Sequence, residues 1–171
     1  VDEHFQLIEF ANLKLRGIHP DQMPWEYHER IRPTVQAYLA YFIIKIQRFL
    51  GHNSPFQATL ILRLLSVIVS FCSISLLFNT FKHHFRDYSL RLLFCLCCFL
   101  SWYILYIGVR FSSENWSGAF FTIGFCSYFI NSPKKNTFLV VTGLFFGLSF
   151  LFRFQTAILS FGFLLWLTFT R

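Results

Sequence analysis

Four places in this chain hold side chains that can do chemistry. Asp2 and Glu3 form an adjacent carboxylate pair, with Gln6 and Glu9 at helical spacing behind them. Beside a membrane, partial desolvation suits such a carboxylate for taking a proton from a hydroxyl. The same pair equally fits the acidic N-terminal cap of a helix. Trp25 and Glu26, followed by Arg30 and Arg32, combine aromatic faces that bind sugar rings with cations that bind phosphate. A plain interfacial loop favours the same residue types. Arg110 and Glu114 share a short polar loop and are close enough in sequence to pair with each other. Arg153 stands between two long apolar runs, where an arginine marks a functional site unless it lies at a helix end and snorkels out.

Composition decides what must position these groups. Of the 171 residues, 55% are hydrophobic, 21% aromatic and only 13% charged, too apolar for an ordinary water-soluble domain. A net charge of +7 would suit nucleic acid, but the basic residues are scattered among apolar runs and form no stripe that could follow a phosphate backbone. Lys82, Arg86, Arg91, Lys134 and Lys135 instead stand at the ends of apolar segments, where they meet headgroups and bias topology. The five cysteines lie within apolar segments, and Cys95-Leu96-Cys97-Cys98 lacks the spacing of a zinc or redox site. His83-His84 reads as a headgroup contact among basic neighbours. Asn115-Trp116-Ser117 matches the glycosylation triplet but lies against an apolar run.

The expected fold is all-α: a polytopic membrane helical bundle with an amphipathic helix in the first non-cytoplasmic loop. Residues 1–55 form that loop, which holds six of the eight carboxylates, and Phe5, Ile8, Ala11 and Leu15 mark the apolar stripe of its helix. Thr34 to Leu50 reads as an interfacial or partly buried helix, because Lys45 and Arg48 interrupt it well short of a crossing. Residues 56–171 hold about five transmembrane helices, at 56–81, 88–109, 115–132, 136–152 and 154–170. Starting at Val1 and ending at Arg171 straight after an apolar run, the chain reads as a fragment of a larger membrane domain. One crossing per run puts 82–86 and 134–135 on one face and the Asp2 head, 110–115 and Arg153 on the other. The positive-inside rule makes the first face cytoplasmic, so the acidic head faces the lumen or periplasm.

Taken together, Asp2-Glu3-His4-Phe5-Gln6-Leu7-Ile8-Glu9-Phe10, Pro24-Trp25-Glu26-Tyr27 and Ile31-Arg32-Pro33 resemble the first non-cytoplasmic loop of the lipid-phosphate-mannose-dependent alpha-mannosyltransferases. These are the enzymes of GPI-anchor and N-glycan assembly, with bacterial relatives, in the C-type glycosyltransferase superfamily. Leu62-Arg63-Leu64-Leu65, Arg110 to Asn115 and Phe152-Arg153-Phe154-Gln155-Thr156-Ala157 follow in the family's order. The last departs from the usual Arg-Pro-Thr: Phe and Gln follow Arg153, keeping the charge but not the proline.

The resemblance implies transfer of mannose or another hexose from a polyprenyl- or dolichyl-phosphate donor to a glycan or glycolipid hydroxyl, with inversion. Asp2 is then the base and Glu3 its partner. Arg153 is the leading group for the donor phosphate, with Arg110, Arg30 and Arg32 behind it, and Gln6, Glu9, Trp25, Glu26 and Glu114 complete the substrate site. The implied partners are the lipid-linked donor, the acceptor and membrane lipids, in a bacterial inner membrane or the endoplasmic reticulum. Asp2, Glu3 and His4 are metal-ligating types, but adjacent residues rarely all face one centre, so a divalent ion is not indicated and the cofactor stays unknown. The competing reading is a transporter or flippase for an anionic lipid-linked substrate. It also uses intramembrane arginines, although the two halves of this chain show no inverted repeat.

Overall fold

The computed structural model describes residues 8–11, 13, 15, 34–51, 54–130 and 136–170, and every regular element among them is helical. Helix α1 (Thr34–Phe49) ends at Gly51, whose positive φ of 79° turns the chain back at no Cβ penalty. Gln47 Nε2 closes that turn by donating to Ser54 O (3.0 Å) and Gln57 Oε1 (3.3 Å). Pro55 then starts α2 (Pro55–Phe81) at a first-turn position where its missing N–H costs nothing. A short 3₁₀ turn (Lys82–His84) leads to α3 (Tyr88–Leu100), α4 (Trp102–Gly108), α5 (Ser113–Ile130), α6 (Asn136–Phe152) and α7 (Thr156–Thr170).

Helix α2 buries the side of itself that a soluble helix would expose. Its buried residues are Ala58, Leu62, Ser66, Ser70 and Ser73, at spacings of three and four, whereas Leu60, Leu64, Ile68 and Phe71 are exposed. Apart from Leu62 the buried residues are small or hydroxylated while large apolar ones face out, the packing of helices whose surroundings are as apolar as their interior. Two stretches, Pro55–His84 and Tyr88–Gly108, are long and apolar enough to cross a bilayer by length and composition.

Within the second stretch the structure departs from the uninterrupted helix expected over 88–109. Ser101 adopts extended backbone (φ −60°, ψ 121°) and splits it into α3 and α4. The two halves answer to different neighbours. Of α3 only Cys98 is buried, and its Phe94 and Phe99 rest on Phe78 of α2. Of α4 the buried residue is Gly108, where an added Cβ would lie 3.4 Å from Ser70 Cβ. No proline or glycine stands at the break, so composition gives no warning of it.

The tightest pair is α5 with α6, antiparallel. Ser117 Oγ donates to Ser149 O (2.9 Å) and Ser149 Oγ to Ser117 O (2.8 Å), which ties each hydroxyl to the other helix's backbone. Further along, Phe121 stacks on Phe146 with ring centroids 4.9 Å apart. Gly124 allows this approach: a Cβ there would meet Phe146 Cδ1 at 2.9 Å and Phe145 Cβ at 3.0 Å. Gly124→Ala is therefore expected to lower stability by about 1–3 kcal/mol through overpacking, read as a lower midpoint in thermal unfolding of the detergent-solubilised chain.

At one end of the bundle Phe81 contacts Phe125 and Phe129, and Phe129 meets Trp166, next to the basic 3₁₀ turn. Toward the other end Trp116 stacks on Phe152 (5.6 Å) and meets Phe111 edge-on (5.7 Å), while its Nε1 donates to Ser66 Oγ (2.9 Å). This cluster continues through Leu62, Ala58, Ile44 and Ala40 to a fully buried Ala11, with Ile8 and Leu15 packed against it. Three of the four expected stripe residues of the head therefore meet protein, and Glu9 on the opposite side is exposed. Phe5 lies outside the described residues.

Candidate functional site

Beside the Trp116 cluster a cleft of about 620 Å³ opens between α2, α4, α5 and the start of α7. Its wall holds Glu114, Asn115, Arg153, Gln155 and Thr156, with Ser70 and Ser73 from α2 and Tyr103 from α4. Ile74, Leu77, Ile104, Ile107 and Leu159 supply apolar lining.

The charged group is assembled by helix ends. Ser112 Oγ accepts from the Asn115 backbone N–H (3.3 Å), an N-cap that starts α5 and puts Glu114 in its first turn. Arg153 follows the last residue of α6: its N–H donates to Ser149 O (3.0 Å), and its carbonyl accepts from Thr156 N (3.1 Å) and Thr156 Oγ1 (2.7 Å). Thr156 thus closes the turn into α7 without the proline of the resembled family pattern. The Arg153 side chain donates through Nη1 to Glu114 Oε1 and through Nε to Gln155 Oε1. Side-chain exposures of 30% for Arg153 and 55% for Glu114 leave the pair accessible from the cleft, so it orients the guanidinium more than it stabilises the fold. Nη2 has no partner among the described residues, which leaves donors of a planar fork for an anion.

Arg110 goes elsewhere. Its guanidinium lies 4.1 Å above the Tyr106 ring and hydrogen-bonds the Tyr106 hydroxyl. The pairing of Arg110 with Glu114 that their sequence separation suggested is thus replaced by Tyr106 for one and Arg153 for the other. The reason is register: Glu114–Arg153, Ser117–Ser149 and Phe121–Phe146 are successive rungs of the same antiparallel contact between α5 and α6.

Asn115 belongs to the glycosylation triplet and to the 110–115 loop, but neither motif marks it as a site residue. It is 8% exposed; its Oδ1 accepts from Ser70 Oγ (2.8 Å), and its Nδ2 donates to Gly108 O (3.2 Å) and Arg110 O (3.0 Å). Both amide hydrogens are used inside the protein, so the Asn115-Trp116-Ser117 triplet is not presented for glycosylation. The signal in the sequence is Asn three residues after the capping Ser112, on a helix start rather than in an open loop.

Of the other expected site residues, Glu9 is exposed on the described part of the head. Asp2, Glu3, Gln6, Trp25, Glu26, Arg30 and Arg32 lie outside the described residues. Among the described residues no three His, Cys, Asp or Glu side chains gather to hold a metal ion.

A family model described as the Alg9-like mannosyltransferase family matches residues 1–171. Comparison with curated proteins and with solved structures gives no match. The matched span takes in the acidic head, the Ser112 cap with Glu114, and the Arg153 turn that meets Glu114 at the cleft: the chain belongs to the Alg9-like mannosyltransferase family.

Proposed function

We propose that the protein is a multi-pass membrane glycosyltransferase. It moves mannose, or a related hexose, from a polyprenyl- or dolichyl-phosphate donor to a hydroxyl of a glycan or glycolipid acceptor, inverting the anomeric carbon. In this reading Asp2, assisted by Glu3, takes the acceptor proton. The acceptor oxygen attacks the anomeric carbon as its bond to the phosphate oxygen breaks, and the electron pair leaves with the phosphate. Arg153 stabilises the charge that grows there.

The observation that carries the proposal is the Glu114–Arg153 pair at the cleft, in a chain of a mannosyltransferase family. It puts an accessible guanidinium, already oriented, beside apolar walls suited to a lipid. The outward-facing large side chains of α2 support the membrane setting. The orientation with the head and Arg153 on the lumenal or periplasmic side belongs to the same proposal.

Membranes carrying the full chain, given radiolabelled polyprenyl-phosphate-mannose, are expected to yield labelled glycolipid, and nucleotide-mannose is expected to yield none. The transporter reading predicts label that changes leaflet with no new glycosidic bond.

A further inference from the structure

Helix α4 forms one wall of the cleft, through Tyr103, Ile104, Ile107 and Gly108. It is poorly anchored by apolar contact. Trp102, Tyr103, Leu105 and Tyr106 are all more than half exposed, and the break at Ser101 separates it mechanically from α3. Its last turn also leaves backbone carbonyls without helical partners, as every helix end does. Asn115 takes two of the carbonyls at this end, Gly108 O within α4 and Arg110 O just past it. From α2, Ser70 Oγ fixes the amide by donating to its oxygen (2.8 Å) and lies 3.4 Å from Gly108 O as a longer second contact.

We infer that Asn115 is a positioning residue that sets the width of the cleft by pinning α4 against α2 and α5. The assignment rests on the proposed reading in that the cleft receives the lipid-phosphate donor. Only a carboxamide does this job at this length. It needs one acceptor for Ser70 and two hydrogens for two carbonyls, and aspartate keeps the shape and the acceptor while losing both hydrogens. Releasing the pin lets α4 move out and carries Tyr103 with it. Substrate affinity then suffers before the chemical step does.

The test compares Asn115→Asp with the parent full chain in membranes, using polyprenyl-phosphate-mannose as the varied substrate. Donor KM is expected to rise about tenfold with a smaller change in kcat. A purely structural role would remove active molecules, lowering apparent kcat while leaving KM in place. Hydrogen–deuterium exchange at residues 104–108 is expected to quicken, with 139–152 unchanged. Ser70→Ala, which removes the bond to Asn115 Oδ1 together with Ser70's own 3.4 Å contact to Gly108 O, is expected to raise KM about threefold and to quicken the same amides. It decides the question if the aspartate variant does not fold. An unchanged KM in the folded variant overturns the assignment. Should the parent chain transfer no sugar, the mannose-transfer reading falls and exchange alone decides: quickened amides at 104–108 support the pin, and unchanged amides refute it.

Discussion

Arg153→Ala is expected to cut kcat/KM for transfer from the lipid-phosphate donor by about 10² to 10³, the range found when one donor to a developing oxyanion is removed. The cause is specific to the side chain's setting. Glu114 and Gln155 already hold the guanidinium, so an arriving phosphate meets an oriented fork rather than a mobile cation. Arg153→Lys keeps the charge but not the fork and is expected to fall between the parent and the alanine variant. Glu114→Gln should weaken donor binding less than Arg153→Ala, because the cation remains and only its orientation is lost. Donor affinity measured with a non-transferable polyprenyl-phosphate separates binding from turnover. If Arg153→Ala leaves both affinity and rate unchanged, the phosphate role is wrong.

Asp2→Asn is expected to lower kcat by about 10² to 10⁴, the contribution of a positioned general base, while donor affinity and the thermal midpoint stay at parental values. Glu3→Gln should cost less if Glu3 orients Asp2 or the acceptor. Retained turnover in Asp2→Asn would remove Asp2 from the mechanism and move the search to other carboxylates. Glu9 is then the first to test, being an exposed carboxylate on the segment whose other side packs into the Trp116 cluster.

Much of the helical layout is legible in residue type. Long uncharged runs give helices because nothing else satisfies the backbone in an apolar setting. Pro55 and Ser112 announce the starts of α2 and α5 by ordinary end chemistry. The partners of the polar residues are another matter. Glu114 sits four residues from Arg110 and thirty-nine from Arg153, and sequence distance favours the wrong one. Ser66 with Trp116, Ser70 with Asn115 and Ser117 with Ser149 likewise join helices across 50, 45 and 32 residues. Which serine meets which partner depends on helix rotation and vertical offset, and neither is encoded in local periodicity. The Ser101 break escapes for a related reason: it answers to what α3 and α4 touch, not to any residue that bends a helix by itself.

The two serines shared by α5 and α6 bear on how the arginine enters a membrane at all. A lone guanidinium carried on an apolar hairpin is costly to insert. Ser149 stands four residues before Arg153 and Ser117 three after Glu114, so the hydroxyl rung that locks the two helices also delivers the counter-ion to the cation. Sliding one helix past the other by a turn would break the serine bonds and strand the arginine at once. On the membrane reading, Glu114 and Arg153 therefore enter as a neutral pair, and the site proposed for the donor phosphate is assembled during insertion, before any substrate is present.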